Sequence, residues 1–321
     1  MLDGYTLVEW NDFHTNYSIP FDDETDGGVI IAKYIIENSG DEDVYFMTDF
    51  HIEYTGTTKY HNNYDRLLPE DVQMRKILNP STNYLLKAGE TIKGYYAYPF
   101  SPELLDNIVD LSTVTVKVNE PHSEKGDVNS KFGKAGQFVL ALNEEGAKKA
   151  EENAAFYNDK ATFENMGEKK MLEEKQDINE SEMLRDVEVT LDGYQFTEFV
   201  PNEVEEPRFS NFTNGIVLLT VKFIVDNGGD QEIDQSGIIS SLYVNDGSQY
   251  MRNEGMLGTY KYGDVIEPGE SDELLQVYIL DQEQYEKIWK DKSFEIEVGP
   301  FKNQEAKDIS KGNTVLFTLP K

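Results

Sequence analysis

Apolar and polar residues alternate in two widely separated parts of this chain, and the two parts begin alike. The first opens with LDGYTLVEW, Leu2–Trp10, and the second with LDGYQFTEF, Leu191–Phe199. At the same distance downstream, each continues with an apolar run, KYIIEN at Lys33–Asn38 and KFIVDN at Lys222–Asn227. β-Branched and aromatic residues favour a pleated, half-buried surface, so both runs are predicted strands.

The correspondence continues beyond these strands in the same order. Each apolar run ends in a turn-forming sequence, NSGD at 38–41 and NGGD at 227–230. Asn and Gly tolerate positive φ and Asp caps turns, so both sequences predict a tight reversal. Further on, VTVKV at 114–118 and FEIEV at 294–298 both alternate with the period of two that is typical of strands. An ordered series of matches of this kind predicts an internal duplication.

Each copy also carries one helix signal late in its length. Ser101 and Asp281 are suitable N-caps, and Pro102 falls at the first helical position, where its missing N–H costs least. The remaining pattern predicts about seven or eight short strands per copy, which is typical of a two-sheet β-sandwich. Parallel βαβ units are not expected because long helices do not alternate with the strands.

The segment between the copies differs in composition. Residues 143–183 are rich in Ala, Glu and Lys, which are helix formers, and Gly167 interrupts their apolar stripe. We interpret them as a helical linker with a break near Gly167, either packed lightly on one domain or docking a partner. The sequence thus predicts a mainly β protein with two tandem Ig-like β-sandwiches, at 1–142 and 184–321, joined by this linker.

Charge and cysteine content narrow the function. Acidic residues outnumber basic residues 61 to 29 in the 321-residue chain, a formal net charge of −32. Such a surface repels phosphate backbones, so we expect no nucleic-acid partner, and it also repels anionic lipid headgroups. The charge indicates a soluble acidic coat or, alternatively, acids that converge on a cation. The absence of Cys excludes disulfides, zinc thiolate sites and cysteine nucleophiles.

The sequence also bears on location. A cysteine-free chain fits the cytosol, or an exported protein of a bacterium that does not use disulfides. The sequence shows no apolar run of bilayer-spanning length and no signal peptide. However, a strand-like MLRDVEVT precedes the second LDGY, whereas only Met1 precedes the first. We therefore expect that an export signal was removed upstream.

Several turn-centred stretches resemble a known family. IIENSGDED and LLKAGETIKGYYAYPFS in the first copy, with IVDNGGDQE and IEPGESDELLQVYILD in the second, resemble the immunoglobulin-like domains of uncharacterised secreted proteins and lipoproteins of Gram-positive bacteria. The resemblance covers both copies but not the linker. It implies an Ig-like sandwich and an extracytoplasmic, cell-surface-anchored or secreted protein, and it carries over no catalytic residue. Such lipoproteins bear their lipid on a Cys that this sequence lacks, so a lipid anchor belongs to a fuller form of the protein or is replaced by another attachment.

The sequence contains none of the common catalytic motifs. The four histidines form no HExxH pair, and no GxSxG, P-loop or GxGxxG pattern occurs. We therefore expect a protein that is not an enzyme, with no catalytic residues and no cofactor.

Two acidic loops are candidate metal sites. Calcium takes several oxygen ligands from such loops, although neither matches the EF-hand pattern. The metal candidates, which ordinary solvated turns would equally explain, are Asp22, Asp23, Asp26, Asp41 and Asp43.

Loops rich in Tyr and Asn are candidate ligand sites. Tyr54 and Tyr60 recur as Tyr243 and Tyr250, which favours a structural role for these four. Neighbouring residues that differ between the copies are better candidates for individual function, because Tyr and Asn suit adaptable contacts. These ligand-binding candidates are His61, Asn62, Tyr64, Met251 and Arg252.

The leading hypothesis is a non-enzymatic extracytoplasmic binding or scaffold protein at a bacterial cell surface. Its sandwich-end loops would contact a protein or glycan, without direct membrane insertion. A calcium-dependent receptor or sensor that uses the acidic loops is the first alternative, and a hydrolase with a site between the domains is the second.

Overall fold

The computed structural model describes residues 1–13, 21, 25–54, 60–61, 64–133, 135–261 and 263–321. The chain separates into two compact units, Met1–Glu151 and Glu152–Lys321. Strands dominate both units, so the prediction of a mainly β protein is confirmed.

The first unit contains short and long strands with brief helices between them. Its strands are β1 Leu2–Trp10, β2 Gly27–Glu37, β3 Val44–Tyr45, β4 His51–Tyr54, β5 Tyr60–His61, β6 Leu85–Leu86, β7 Thr91–Phe100, β8 Thr113–Val118 and β9 Gly136–Ala141. Its α-helices are α1 Met74–Ile77, α2 Pro102–Leu111 and α3 Glu144–Asn153, the last of which ends at the boundary between the units. Short 3₁₀ turns lie at Asp65–Leu67 and Pro80–Thr82.

The second unit repeats this plan with additional strands at its start. Its strands are β10 Gly167–Lys175, β11 Glu180–Leu184, β12 Val187–Pro201, β13 Ile216–Asn227, β14 Ile233–Asp234, β15 Ser240–Val244, β16 Gln249–Arg252, β17 Val265–Ile266, β18 Ser271–Asp281, β19 Phe294–Val298 and β20 Val315–Thr318. Helix α4, Gln282–Gln284, continues into a π-helical turn at Tyr285–Trp289, and 3₁₀ turns lie at Glu206–Phe209, Gln235–Gly237 and Gly255–Leu257. Among the described residues, no helix combines the length and apolarity needed to cross a membrane.

The two units share one topology. Sheet β1-β2-β7 of the first unit corresponds to β12-β13-β18 of the second, and β5-β4-β8-β9 corresponds to β16-β15-β19-β20. A small two-stranded ladder, β3-β6 or β14-β17, completes each unit. Even the register shift between Leu2 and Gly4 recurs, between Leu191 and Gly193. The predicted duplication is therefore present in the strand order.

The main core of each unit lies between its two larger sheets. Alternate residues of a strand point to opposite faces, so every second residue of β2 enters this core, as in Ile30, Ala32 and Tyr34. Phe50 directly precedes β4 of the opposite sheet. Its ring makes an edge-to-face contact with Tyr34, with ring centroids 5.0 Å apart. In β13 the same alternation buries Val221, Phe223 and Val225. With no disulfide available, these apolar and aromatic faces hold each sandwich together.

A buried asparagine fixes the turn after the central strand in both units. The side-chain amide of Asn227 donates to the carbonyls of Gln231 and Ile266, both at 2.9 Å, and its Oδ1 accepts from the Gly229 N–H. Asn38 makes the equivalent bonds in the first unit. The recurring Asn-x-Gly turn therefore has a structural cause, because it closes the end of the sandwich.

The predicted helical linker needs correction. Only Glu144–Asn153 of residues 143–183 forms an α-helix, whereas β10 and β11 are strands that pair with β12. Lys and Glu favour helices weakly, and the backbone hydrogen bonds that β12 offers outweigh that preference. The intervening segment is also not a lightly packed spacer, since Ala161, Phe163 and Met166 are buried in the second unit.

Candidate functional site

An apolar pocket opens at one end of the first sandwich. Its volume is about 220 Å³, and it lies where β3, the turn before β6 and the β8–β9 connection meet. It is lined by Tyr45, Met47, Asn83, Tyr84, His122, Gly126, Asp127 and Val128, and we refer to it as the Tyr45–His122 pocket.

Backbone hydrogen bonds hold the walls of this pocket in place. Tyr45 and His122 exchange both backbone bonds, each 2.9 Å long. The N–H of Phe46 donates to the carbonyl of Tyr84 at 2.9 Å, which joins the third wall to the same ladder. The aromatic side chains thus project from a rigid backbone, as a pre-formed binding site requires.

The turn that carries Tyr84 has an unusual backbone. Asn79 caps a 3₁₀ turn by accepting from the Ser81 N–H at 3.0 Å, and Asn83 and Tyr84 follow with φ of 59° and 58°. Asn tolerates the left-handed region, but a bulky aromatic residue is rarely found there. Holding a residue in such a region lowers the stability of the fold by about 1–3 kcal/mol, and backbone strain of this kind is concentrated at functional sites.

The β8–β9 connection supplies the remaining wall. Asp127 accepts from the Asn129 N–H at 2.8 Å, and the Ser123 N–H donates to the Ser130 carbonyl, so the connection is ordered by its own hydrogen bonds. It displays Val128 with 72% of its surface exposed, and Met47 across the pocket is 51% exposed. These apolar side chains next to two tyrosines form a local surface whose burial would be favourable.

His122 provides an unsatisfied polar group at this site. Its Nδ1 atom is buried and has no hydrogen-bond partner among the described residues. A buried polar atom left unpaired costs about 1–3 kcal/mol. The imidazole can donate or accept according to its tautomer, and His122 also lines the pocket.

A larger cavity of about 510 Å³ lies in the second unit beside the Asn227 turn. Charged residues of both signs line it, among them Arg185, Asp186, Asp230 and Lys311. Its main buried polar group, Asn227, is fully used in the turn hydrogen bonds described above. We therefore regard this cavity as a consequence of the turn architecture and the Tyr45–His122 pocket as the candidate site.

The acidic metal candidates have separate structural surroundings. Asp26 accepts from the Asp12 N–H at 2.7 Å, and Asp43 accepts from the Ala88 N–H at 2.9 Å, whereas Asp41 is exposed. Asp22 and Asp23 lie outside the described residues. Within the described ranges, no three His, Asp or Glu side chains are placed to hold a metal ion, so Asp26, Asp41 and Asp43 are not brought together.

The ligand candidates are also dispersed. Tyr64 packs beside the outer core of the first unit, and its N–H donates to the Ala97 carbonyl at 2.7 Å. Arg252 donates through Nε to the Tyr250 hydroxyl at 2.9 Å on an exposed face. Met251 faces the other way and packs against the core.

Two of these candidates fall at the edge of the described chain. His61 belongs to β5, where its backbone pairs with Ile52, but its side chain lies outside the description. Asn62 lies outside the described residues altogether.

Sequence reasoning missed every residue of the Tyr45–His122 pocket. One available signal was the connection 119–135, which exceeds the roughly 12–15 residues of ordinary loops and so suggests a functional role. The strained φ of Tyr84 and the unpaired nitrogen of His122 appear only in three dimensions.

Comparisons with known proteins place this site within a recognised but functionally unassigned region. Residues 1–143, which include the whole pocket, match a family model described as Domain of unknown function (DUF5068). No curated protein matches the chain.

Three of the similar solved structures are bacterial. An uncharacterised β-sandwich protein of Clostridium difficile is 17% identical, covers 47% of this chain and 99% of its own, and has a TM-score of 0.30. A functionally unknown protein of Listeria monocytogenes is 13% identical, with 48% and 88% coverage and a TM-score of 0.34. A conserved hypothetical protein of Bacillus anthracis is 14% identical, with 40% and 92% coverage and a TM-score of 0.28. These likenesses assign no ligand, so the function is argued from the pocket itself.

Proposed function

We propose that this chain is a non-enzymatic binding protein whose first unit holds an aromatic side chain of a partner protein. The observation that carries the proposal is an open apolar pocket lined by Tyr45, Tyr84 and His122. A ring with one hydrogen-bonding atom, such as the phenol of a tyrosine, suits an apolar lining that includes aromatic and imidazole side chains.

The size of the pocket supports this ligand. An engineered apolar cavity of about 150 Å³ binds benzene. The Tyr45–His122 pocket offers about 220 Å³ and also has tyrosines on two walls. Offset or edge-to-face contacts with these rings would add about 0.5–1.5 kcal/mol beyond the area buried.

The arrangement of polar groups supports binding rather than catalysis. Acid–base or nucleophilic chemistry needs a second titratable group oriented by the first. The Asp127 carboxylate, the nearest candidate in the lining, is occupied by the Asn129 N–H. The pocket is therefore assigned to binding.

The proposed setting is outside the cytoplasm, at a bacterial cell surface. The support is the resemblance of its turn motifs to those of secreted proteins and lipoproteins. Fractionation of cells that express the native gene tests the setting. Recovery in the cytosolic fraction alone would contradict it.

Binding of p-cresol, the side-chain analogue of tyrosine, tests the pocket. Saturation-transfer NMR should detect p-cresol on the wild-type chain. Val128→Asp places a charge in the pocket wall and should abolish the signal. Val204→Asp is the matched control, because Val204 is 58% exposed in the second unit and 72% of Val128 is exposed in the first.

The control should bind p-cresol like the wild type. An equal signal from both variants, or none from the wild type at millimolar p-cresol, would contradict the proposal.

A further inference from the structure

The two corresponding strands β1 and β12 differ in what lies beside them. β12 pairs with β13 on one edge and with β10 and β11 on the other. β1 pairs with β2 on one edge, and in the described part of the chain no strand pairs with its other edge. The backbone groups directed outward from that second edge form a template for another strand.

The exposure of the side chains differs in the same way, although five of the nine residues at 2–10 and 191–199 are identical. Tyr194 of β12 is 2% exposed, whereas Tyr5 at the same place in β1 is 38% exposed. β10 covers the part of β12 that corresponds to Tyr5–Trp10. The side chains of β1 therefore suit a central strand but occupy an edge.

Glycine at the bulge shows that the space is open. A Cβ on Gly193 would meet the Tyr157 hydroxyl and, at 2.6 Å, the Lys175 carbonyl oxygen at the end of β10, so the side chain of Tyr157 and the neighbouring strand close this space in the second unit. A Cβ on Gly4 would meet no atom of the described residues within 4 Å. Gly4 has its own reason to be glycine, a φ of 153°, but the empty space beside it marks the missing neighbour.

We propose that the outer edge of β1 receives an extended, lysine-bearing segment of a partner protein, which pairs antiparallel in the place that β10 occupies on β12. Main-chain hydrogen bonds would supply affinity, as in other cases of strand addition to a sheet edge. The pairing of β10 with β12 indicates which charge the incoming strand should carry. Lys170 stands opposite Glu198, and Lys170 Nζ lies 3.8 Å from Glu198 Oε2.

Glu9 of β1 corresponds to Glu198. It is exposed and forms no ion pair with a described residue, so a lysine at the Lys170 position of the incoming strand would face it. Asp3, at the other end of the strand, is already paired with Lys33 at 2.6 Å. Glu9 is therefore the charge that selects the partner.

A second copy of this chain is a poorer occupant. Antiparallel pairing of β1 with itself about Thr6 sets Asp3 opposite Glu9, and like charges directly opposite each other are destabilising. The net charge of −32 on each chain adds to this repulsion. A segment that places a lysine opposite Glu9 avoids this like-charge contact.

A charge-swap experiment with the full chain tests the proposal. The probe is a fluorescent peptide of the β10 sequence, GEKKMLEEK, and its affinity is measured by anisotropy. Glu9→Lys in the protein should weaken binding roughly three- to tenfold, and a Lys170→Glu peptide should restore it. Glu305→Lys, an exposed acid of the second unit, is the matched control and should bind the original peptide normally.

Hydrogen exchange locates the bound peptide. Saturating peptide should protect alternate amides of β1 in a chain that remains monomeric by light scattering. Three results would overturn the proposal. They are unprotected β1 amides at saturating peptide, protection of β1 in the free monomer by a segment of its own chain, and protection only in a dimer of this chain.

Discussion

Replacing Lys169 with methionine should destabilise the second unit strongly. The Lys169 ammonium lies 2.9 Å from an Asp159 carboxylate oxygen, and the side chains are 1% and 0% exposed. It also lies 5.1 Å from the centroid of the Phe156 ring. This ion pair joins β10 to the segment that crosses the outer face of its sheet.

The size of the effect follows from the groups left behind. Removing one partner of a buried ion pair costs about 3–5 kcal/mol, because the other charge stays buried. Asp159 would keep bonds from the Ala161 N–H and the Thr220 hydroxyl, both 2.8 Å long, and Met would fill the space of the lysine stem. We therefore expect a loss near 3 kcal/mol, at the lower end of that range.

Two further variants test whether the loss comes from the unpaired buried charge of Asp159. Lys287→Met breaks an exposed pair with Glu283, 67% and 47% exposed, and should cost at most about 0.5 kcal/mol. Asp159→Asn combined with Lys169→Met removes both charges and should recover part of the loss, since neutral groups are cheaper to bury.

Urea unfolding followed by tryptophan fluorescence is the assay. The chain has two tryptophans, and in a Trp10→Phe background the signal reports only Trp289, which is 6% exposed in the second unit. The midpoint of Lys169→Met should fall by about 1 M urea for a slope of 2–3 kcal/mol/M. A loss no larger than that of Lys287→Met would refute the reasoning and show that the segment is not docked as described.

Three further predictions concern both units. Asn227→Ala and Asn38→Ala should each lower the free energy of unfolding, measured with urea, by about 2–4 kcal/mol, because each removes a buried amide with three hydrogen bonds. A loss under about 1 kcal/mol would contradict the structural role of this turn. Burial raises the pKa of Tyr157 to about 12. The stability that its neutral phenol contributes is therefore complete below pH ~10 and is lost as the pH rises towards 12. Tyr157→Phe should lose less stability than the wild type between pH ~10 and ~12. Replacing EDTA with millimolar calcium should leave the melting temperature unchanged, whereas a rise of several degrees would assign the acidic loops 22–26 or 41–43 to a cation.

The repeated strands could be predicted from sequence because their apolar residues follow the period of two. The runs 33–38 and 222–227 lie in β2 and β13, and the helix signals at Ser101 and Asp281 precede α2 and α4. These features depend on local residue preferences, which agree with the final fold. They sufficed for the mainly β class and for the duplication.

The β10–β11 region could not be predicted in the same way. Its sequence, GEKKMLEEK followed by ESEML, contains few apolar residues because most of its side chains are exposed at the edge of a sheet. What makes it a strand is the edge of β12, and what buries Lys169 is Asp159, ten residues earlier. Neither partner is visible in the local pattern, so helix propensity gave the wrong structure.

The pocket escaped prediction for a related reason. Tyr45, Tyr84 and His122 are distant in sequence and meet only through backbone bonds between a short ladder and a long connection. None of them belongs to a catalytic motif, and each would be unremarkable alone. The acidic and Tyr-rich loops were more conspicuous in sequence because composition singles them out, yet their described members serve as turn caps or cross-strand contacts.

Methyl NMR of a chain labelled at the methionine ε-methyl groups tests the central claim most directly. The chain contains eight methionines, and Met47 alone lines the Tyr45–His122 pocket. On titration with p-cresol, the account predicts a saturable shift of the Met47 signal and nuclear Overhauser contacts from the ligand ring to this methyl group. A saturable shift of Met251 or Met256 in the second unit, with Met47 unmoved, would contradict it.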